Sequence, residues 1–283
     1  GGITITPSGD HNFTLINSDL YIDYGHILSF KGDSNTIDGG SGSNTRIFMV
    51  GTEDDVIGTI DKGFEIFGID KISPSVVDIG KFYQADLNEI VSDKKKKNHL
   101  FDAINNWKGK SKINVLINNA AYQFVNTTHP IDVNEFNRTL NVNLIAPYIL
   151  ISNLASDLEE TKGSVINISS IHAKLTKPGF SFYASSKAGL SMLTKSLAID
   201  YAGKFRVNCI EPAAINTKLL REGFNNDERK INELKGYHPQ QRIANPEEIA
   251  NLAVKIAESG IEFLHGSCID MSGAISSRLH DPE

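Results

Sequence analysis

No apolar run in the 283 residues approaches the roughly 18 consecutive positions of a membrane span, so a membrane-embedded role is not expected. The opening Gly1-Gly2-Ile3-Thr4 has neither a basic start nor an apolar core, which argues against a secretory signal and for a cytoplasmic protein. Positive charge is not in excess: 28 basic against 34 acidic residues leave a net charge of −6, giving no general reason to expect nucleic acid or a membrane surface as partner. The one basic run, Lys94 to Lys97, reads as a solvated helix face. Only two cysteines occur, Cys209 and Cys268, each in an apolar, strand-like run, so buried free thiols are expected rather than a disulfide. The eight histidines are not spaced with cysteine or acidic partners as metal ligands are, and no metal is expected.

What is present is ordinary for a soluble globular chain, with 40% hydrophobic and 22% charged residues, enough for one large domain or one domain plus an appendage. Residues 1–44 differ from the rest. Short apolar runs (Phe13–Ile16, Leu20–Ile22, His26–Leu28) alternate with turn residues and end in the run Asp38–Asn44, so a β-rich or irregular segment is expected. It could be an appendage, an extra edge for assembly or a remnant of a larger polypeptide. From residue 45 to 283 strands alternate with helices, the sign of a parallel sheet covered on both faces. The spacing predicts seven strands: Arg46–Val50, Phe64–Asp70, Phe82–Asp86, Ile113–Asn118, Ser164–Ser169, Phe205–Ile210 and Ser267–Met271. Helices are predicted over Leu87–Trp107, Asn134–Leu158 with at least one break, Tyr183–Tyr201 and Pro246–Glu258. The last has Asn245 as N-cap, Pro246 at its first position and two glutamates in its first turn.

The stretch Gly163–Tyr201 carries the chemistry. A strand-like run, Ser164–Ile168, lands on Ser169 and Ser170, and a loop broken by Pro178 and Gly179 leads into a helical pattern near Phe182. Tyr183 and Lys187 are four apart, so both leave one helix face about a turn apart. A free phenol titrates near 10, too high for a general base at neutral pH, and a lysine cation beside it favours the phenolate. With a serine hydroxyl to hold an oxygen in line, this set suits proton transfer to or from an alcohol or carbonyl. Alone, such a Tyr–Lys pair would read as an exposed pair on a surface helix.

Ser170, thirteen residues ahead of the segment Tyr183-Ala-Ser-Ser-Lys187, resembles the signature of the classical short-chain dehydrogenase/reductase family. Other stretches extend the resemblance over roughly residues 46–276: Asn118-Asn119-Ala120-Ala121 after an apolar strand, Leu140-Asn-Val-Asn143-Leu144, Glu211-Pro212-Ala213-Ala214-Ile215-Asn216-Thr217, Asp86-Leu87, and the closing Gly266–Gly273. The resemblance implies a doubly wound α/β sheet of Rossmann type and an oxidoreductase that interconverts a secondary alcohol and a ketone. It implies Asn143, Ser170, Tyr183 and Lys187 as the catalytic set, with Asn141 competing for the place of Asn143. Cofactor contacts would come from Gly51, Gly58, Asp70, Asp86, Leu87, Asn118, Tyr183, Lys187, Ile215 and Thr217. It also implies a small-molecule alcohol or ketone substrate and a homodimer or homotetramer.

An acid ending the second strand accepts hydrogen bonds from ribose hydroxyls and repels a 2′-phosphate, so Asp70 points to NAD over NADP, with Lys71 beside it pulling the other way. The phosphate-binding turn departs from the family's pattern. Only Gly51 and Gly58 stand in approximate register, and Glu53, Asp54 and Asp55 lie where a pyrophosphate should approach the backbone. The glycine run Gly39–Gly42 is not followed by a helix-forming segment. A second reading follows from that turn: a non-catalytic binding or assembly module on the same fold, its cofactor site decayed.

Overall fold

The computed structural model describes residues 18–21, 29–32, 45–50, 64–71, 81–125, 132–257 and 261–279. Strands β1 (Ser18–Tyr21) and β2 (Ser29–Gly32) pair antiparallel as a separate two-stranded sheet in the segment expected to be β-rich. Of the short runs expected there, Leu20 falls in a strand, while Phe13–Ile16 and His26–Leu28 lie outside the described residues.

Among the described residues, seven strands form the main sheet, all parallel, in the order β5-β4-β3-β6-β7-β8-β9. They are β3 (Thr45–Val50), β4 (Phe64–Asp70), β5 (Lys81–Gln84), β6 (Val115–Asn118), β7 (Ser164–Ile168), β8 (Arg206–Pro212) and β9 (Cys268–Met271). The central strands read as near-continuous apolar runs because both faces are covered. Alternate residues go to opposite sides. Leu116, Val165 and Val207 join a core with Leu87, Ile90, Leu100, Leu150, Leu154 and Leu197. Val115, Ile117, Ile166, Ile168 and Ile210 face Ile249, Ala253 and Ile256. This is the doubly wound arrangement expected. The strand order reverses between β3 and β6, and open α/β sheets bind ligands in such a crevice at the carboxyl ends.

The helices among the described residues are α1 (Leu87–Ser92), α2 (Lys94–Lys108), α3 (Val133–Leu140), α4 (Ala146–Thr161), α5 (Ser181–Asp200), α6 (Lys218–Gly223), α7 (Glu228–Tyr237) and α8 (Pro246–Ala257). Two differ from expectation in an informative way. The single helix predicted over Leu87–Trp107 is two, because Asp93 adopts an extended backbone and its carboxylate caps Lys95 N–H and Lys96 N–H. An N-cap aspartate inside a helical pattern restarts the helix. The break expected within Asn134–Leu158 is a π-helical turn, Asn141–Ile145, where Ala146 N–H donates to Asn141 C=O. Helices α6 and α7 occupy a stretch for which no element was predicted.

Between α4 and β7 the chain passes very close to its neighbour. A Cβ on Gly163 would lie 2.3 Å from the Asn114 carbonyl oxygen, so only glycine fits there. Arg242 pairs with Glu248, whose Oε2 also accepts from Asn245 N–H at 2.9 Å, the reciprocal half of a capping box at the start of α8.

Candidate active site

The carboxyl end of β7 and the first two turns of α5 bring the expected residues to one edge of the sheet. Ser170 follows β7 and is buried, with its Oγ accepting from His172 N–H at 3.2 Å. Tyr183 lies in the first turn of α5, buried against Ala121 and Phe180. One turn on, Lys187 is fully buried (0% exposed), and its Nζ donates to the Ile168 carbonyl at 2.7 Å. The same ammonium lies 5.7 Å from the centroid of the Tyr183 ring. Burial pushes Lys187 down to about 8, partly offset by the negative potential at Cys209.

Asn143 lies in the π-helical turn and is completely buried. Its Oδ1 accepts from Tyr122 N–H at 2.7 Å, and its Nδ2 donates to Tyr122 C=O and Ser186 Oγ, each at 2.9 Å. Ser186 Oγ donates onward to the Tyr183 carbonyl at 2.7 Å. Asn141 turns elsewhere, to Asn88 Oδ1 at 2.9 Å, so of the two asparagines only Asn143 reaches α5. The bulge and α5 meet closely: a Cβ on Gly189 would lie 3.0 Å from Leu144 Cδ2.

The remaining candidates are spread along the same edge. Asp70 ends β4 and is buried. Asn118 ends β6; its Nδ2 donates to Asn167 Oδ1 at 2.8 Å, and its own buried Oδ1 has no donor among the described residues. Asp86 caps α1 by accepting from Asn88 N–H and stands 3.9 Å from Arg138. Leu87 points into the core, so its backbone is what it offers a ligand. Ile215 is buried against the α8 side of the sheet, and Thr217 Oγ1 accepts from Leu220 N–H at 3.1 Å. Gly51 and Gly58, with the three acids between them, lie outside the described residues.

Three participants escaped the sequence reading. Ser186 and Tyr122 connect Asn143 to Tyr183, and neither has a distinguishing pattern. His172 stacks on Phe180, with centroids 4.7 Å apart, and meets the Tyr183 ring edge-on at 5.8 Å. Its burial, and then the Lys177 charge, push it down to about 4, so it is a neutral imidazole at neutral pH. Its position two residues after Ser170 was the available signal.

A family model described as enoyl-(acyl carrier protein) reductase matches residues 76–274. The 3beta-hydroxysteroid dehydrogenase 1 of Eggerthella lenta is 30% identical over 167 residues, 58% of this chain and 64% of that protein, so the match spans less than two thirds of that relative. The ligand-free aldohexose dehydrogenase of Thermoplasma acidophilum superposes with a TM-score of 0.74 at 25% identity, over 85% of this chain and 98% of that one. A 4-hydroxyisoleucine dehydrogenase solved with NADH shares the fold at a TM-score of 0.72 and 23% identity, over 83% of this chain and all (100%) of that one. Among the described residues no helix is long and apolar enough to cross a membrane.

Proposed function

The chain belongs to the short-chain dehydrogenase/reductase family, and from that premise we propose that it is an NAD-dependent oxidoreductase interconverting a secondary alcohol and a ketone. The observation that carries this reading is the buried Lys187 ammonium beside Tyr183, held by Ile168 C=O at the carboxyl edge of the sheet. A buried cation next to a phenol has a chemical use there, since it stabilises the phenolate that a base of this kind requires.

In the oxidation direction, Ser170 hydrogen-bonds the substrate hydroxyl and Tyr183, as phenolate, takes its proton. Lys187 keeps that phenolate favourable and reaches the nicotinamide ribose, while Asn143 anchors a water behind Lys187. A bound nicotinamide supplies the hydride acceptor. The residues at the sheet edge fit such a group. Asn118 has a buried oxygen without a donor among the described residues, Ala120 and Ala121 are small enough to leave the backbone approachable, and Asp70, a buried acid ending β4, supports contacts to ribose hydroxyls. Asp70 supports NAD over NADP. The oxidoreductase unit is taken as residues 45–283, with 1–44 an appendage, and the working form as a cytoplasmic homodimer or homotetramer.

The acids at Glu53, Asp54 and Asp55 favour a second reading, a module of this fold that binds no cofactor. Calorimetric titration with NADH separates the two. Saturable binding, together with NADH formation from NAD and a panel of secondary alcohols, supports the enzyme. No heat with either NADH or NADPH would leave only the module.

A further inference from the structure

Behind the Tyr183–Lys187 pair, α5 carries a third polar side chain on the same stripe, Ser191, four residues beyond Lys187. Ser191 Oγ lies 2.8 Å from Glu211 Oε1, 2.9 Å from Ser169 Oγ and 3.8 Å from Cys209 Sγ. Cys209 and Cys268 are direct register partners on the adjacent strands β8 and β9. Glu211 is two residues after Cys209 and therefore on the same face of the sheet. The two sulfurs and a Glu211 carboxylate oxygen all lie within 4.8 Å of one another.

We propose that Cys209, Cys268 and Glu211 form a binding site for a thiophilic divalent cation of the zinc type. Two sulfurs and one carboxylate oxygen suit a borderline-soft ion and not calcium or magnesium, which take oxygen. Around a tetrahedral zinc, with Zn–S near 2.3 Å and Zn–O near 2.1 Å, ligand atoms stand roughly 3.5–3.8 Å apart. The three side chains therefore need to draw together by only about 1 Å. A ligating carboxylate is ordinarily held by outer partners, and Glu211 already is: Lys174 Nζ pairs with Oε2 at 2.5 Å and Ser191 takes Oε1. As thiols, Cys209 faces the Ile210 carbonyl at 3.6 Å and Cys268 the Ser191 carbonyl at 3.5 Å, long contacts that metal binding would replace. Binding then releases two thiol protons to solvent, and no electron moves. Three protein ligands leave a fourth position for Ser191 Oγ or for water entering past the half-buried Cys268. The site lies directly behind the candidate base, because Ser169 Oγ also donates to the Lys187 carbonyl at 2.9 Å. It stands apart from the redox reading and does not depend on it.

The test uses the full chain, reduced and stripped with a chelator, titrated with Co²⁺ under reductant without oxygen. One equivalent per chain with thiolate-to-metal charge-transfer absorption and tetrahedral ligand-field bands is expected, and Zn²⁺ should abolish both. Cys268→Ser, at the half-exposed position, should remove the charge-transfer band or halve it. Zn²⁺ affinity by chelator competition should fall in this variant beyond the about 10- to 100-fold that an outer-shell change costs. Glu211→Gln should weaken affinity while keeping the thiolate band. Circular dichroism checks that both variants are folded. Cobalt bound without a charge-transfer band, or a band unchanged in folded Cys268→Ser, would overturn the proposal.

Discussion

Asn143 Nδ2 stands 2.9 Å from Ser186 Oγ across the contact between the π-helical turn and α5, and the Ser186 hydroxyl in turn donates a hydrogen bond to the Tyr183 carbonyl. A single buried amide thus connects the Tyr122 backbone to the helix turn that carries the phenol. The position of Tyr183 is therefore fixed from two sides, by the aromatic contacts of Phe180 and His172 and by the hydrogen-bonded chain beneath it.

Tyr183→Phe removes only a hydroxyl. General-base assistance contributes about 10² to 10⁴ in rate, so kcat for alcohol oxidation should fall by at least about 10², with NADH affinity retained. Steady-state kinetics beside calorimetry reads both. A folded variant keeping its rate within a few-fold would sink the mechanism.

Asn143→Ala leaves the Tyr122 N–H and C=O without their buried partner. Each unsatisfied group costs about 1–3 kcal/mol, so a total loss near 3 kcal/mol is expected in urea unfolding. Ser186→Ala should cost less, about 1 kcal/mol, because Asn143 keeps its bonds to Tyr122. Equal losses in the two variants would show that Asn143 does not hold the Tyr122 backbone as described.

Lys187 ties stability to pH. Its folded value, about 8, is below the ordinary 10.5, so the unfolded chain holds the extra proton between those values. Stability attributable to this group therefore rises as pH climbs from about 8 to 10.5, by up to about 3 kcal/mol. Below pH 8 the contribution is flat and unfavourable. Chemical unfolding of the wild type and Lys187→Met across this range should show the difference between them shifting toward the wild type. A constant difference would mean that the ammonium is not desolvated.

Asp70→Ala should weaken NADH binding and narrow the gap to NADPH, since hydrogen-bond acceptors and a repulsive charge are both lost. Competitive calorimetry with the two dinucleotides measures this. Tighter NADPH than NADH binding by the wild type would mean that the acid does not read the ribose.

The strands and the α5 stretch were legible because their signals are local: apolar runs of a few residues, and a tyrosine and lysine four apart. The break at Asp93 was equally local and was missed, since flanking lysines and apolar residues kept the helical period across it. The participation of Ser186 and Tyr122 was not legible. Their roles come from the distance between the bulged helix and α5, which no spacing along the chain records. The pairing of Cys209 with Cys268 is of the same kind, set by the register of β8 against β9 between residues 59 positions apart in the chain.

The π-helical turn has a consequence for chain length. A helix advances about 100° per residue, and the wider turn closed between Asn141 and Ala146 takes up one residue more than an ordinary α-turn does. Deleting one residue within 141–145 would let an ordinary α-ladder run straight through, with the stripe of Leu150, Leu154 and Leu158 left close to its present phase relative to buried Thr139. What such a deletion would remove is the bulge that holds Asn143 against Tyr122 and Ser186. A second deletion would meet no bulge to absorb it and would rotate the two halves of the helix by about 100° against each other. One half would then have to turn its apolar side to water.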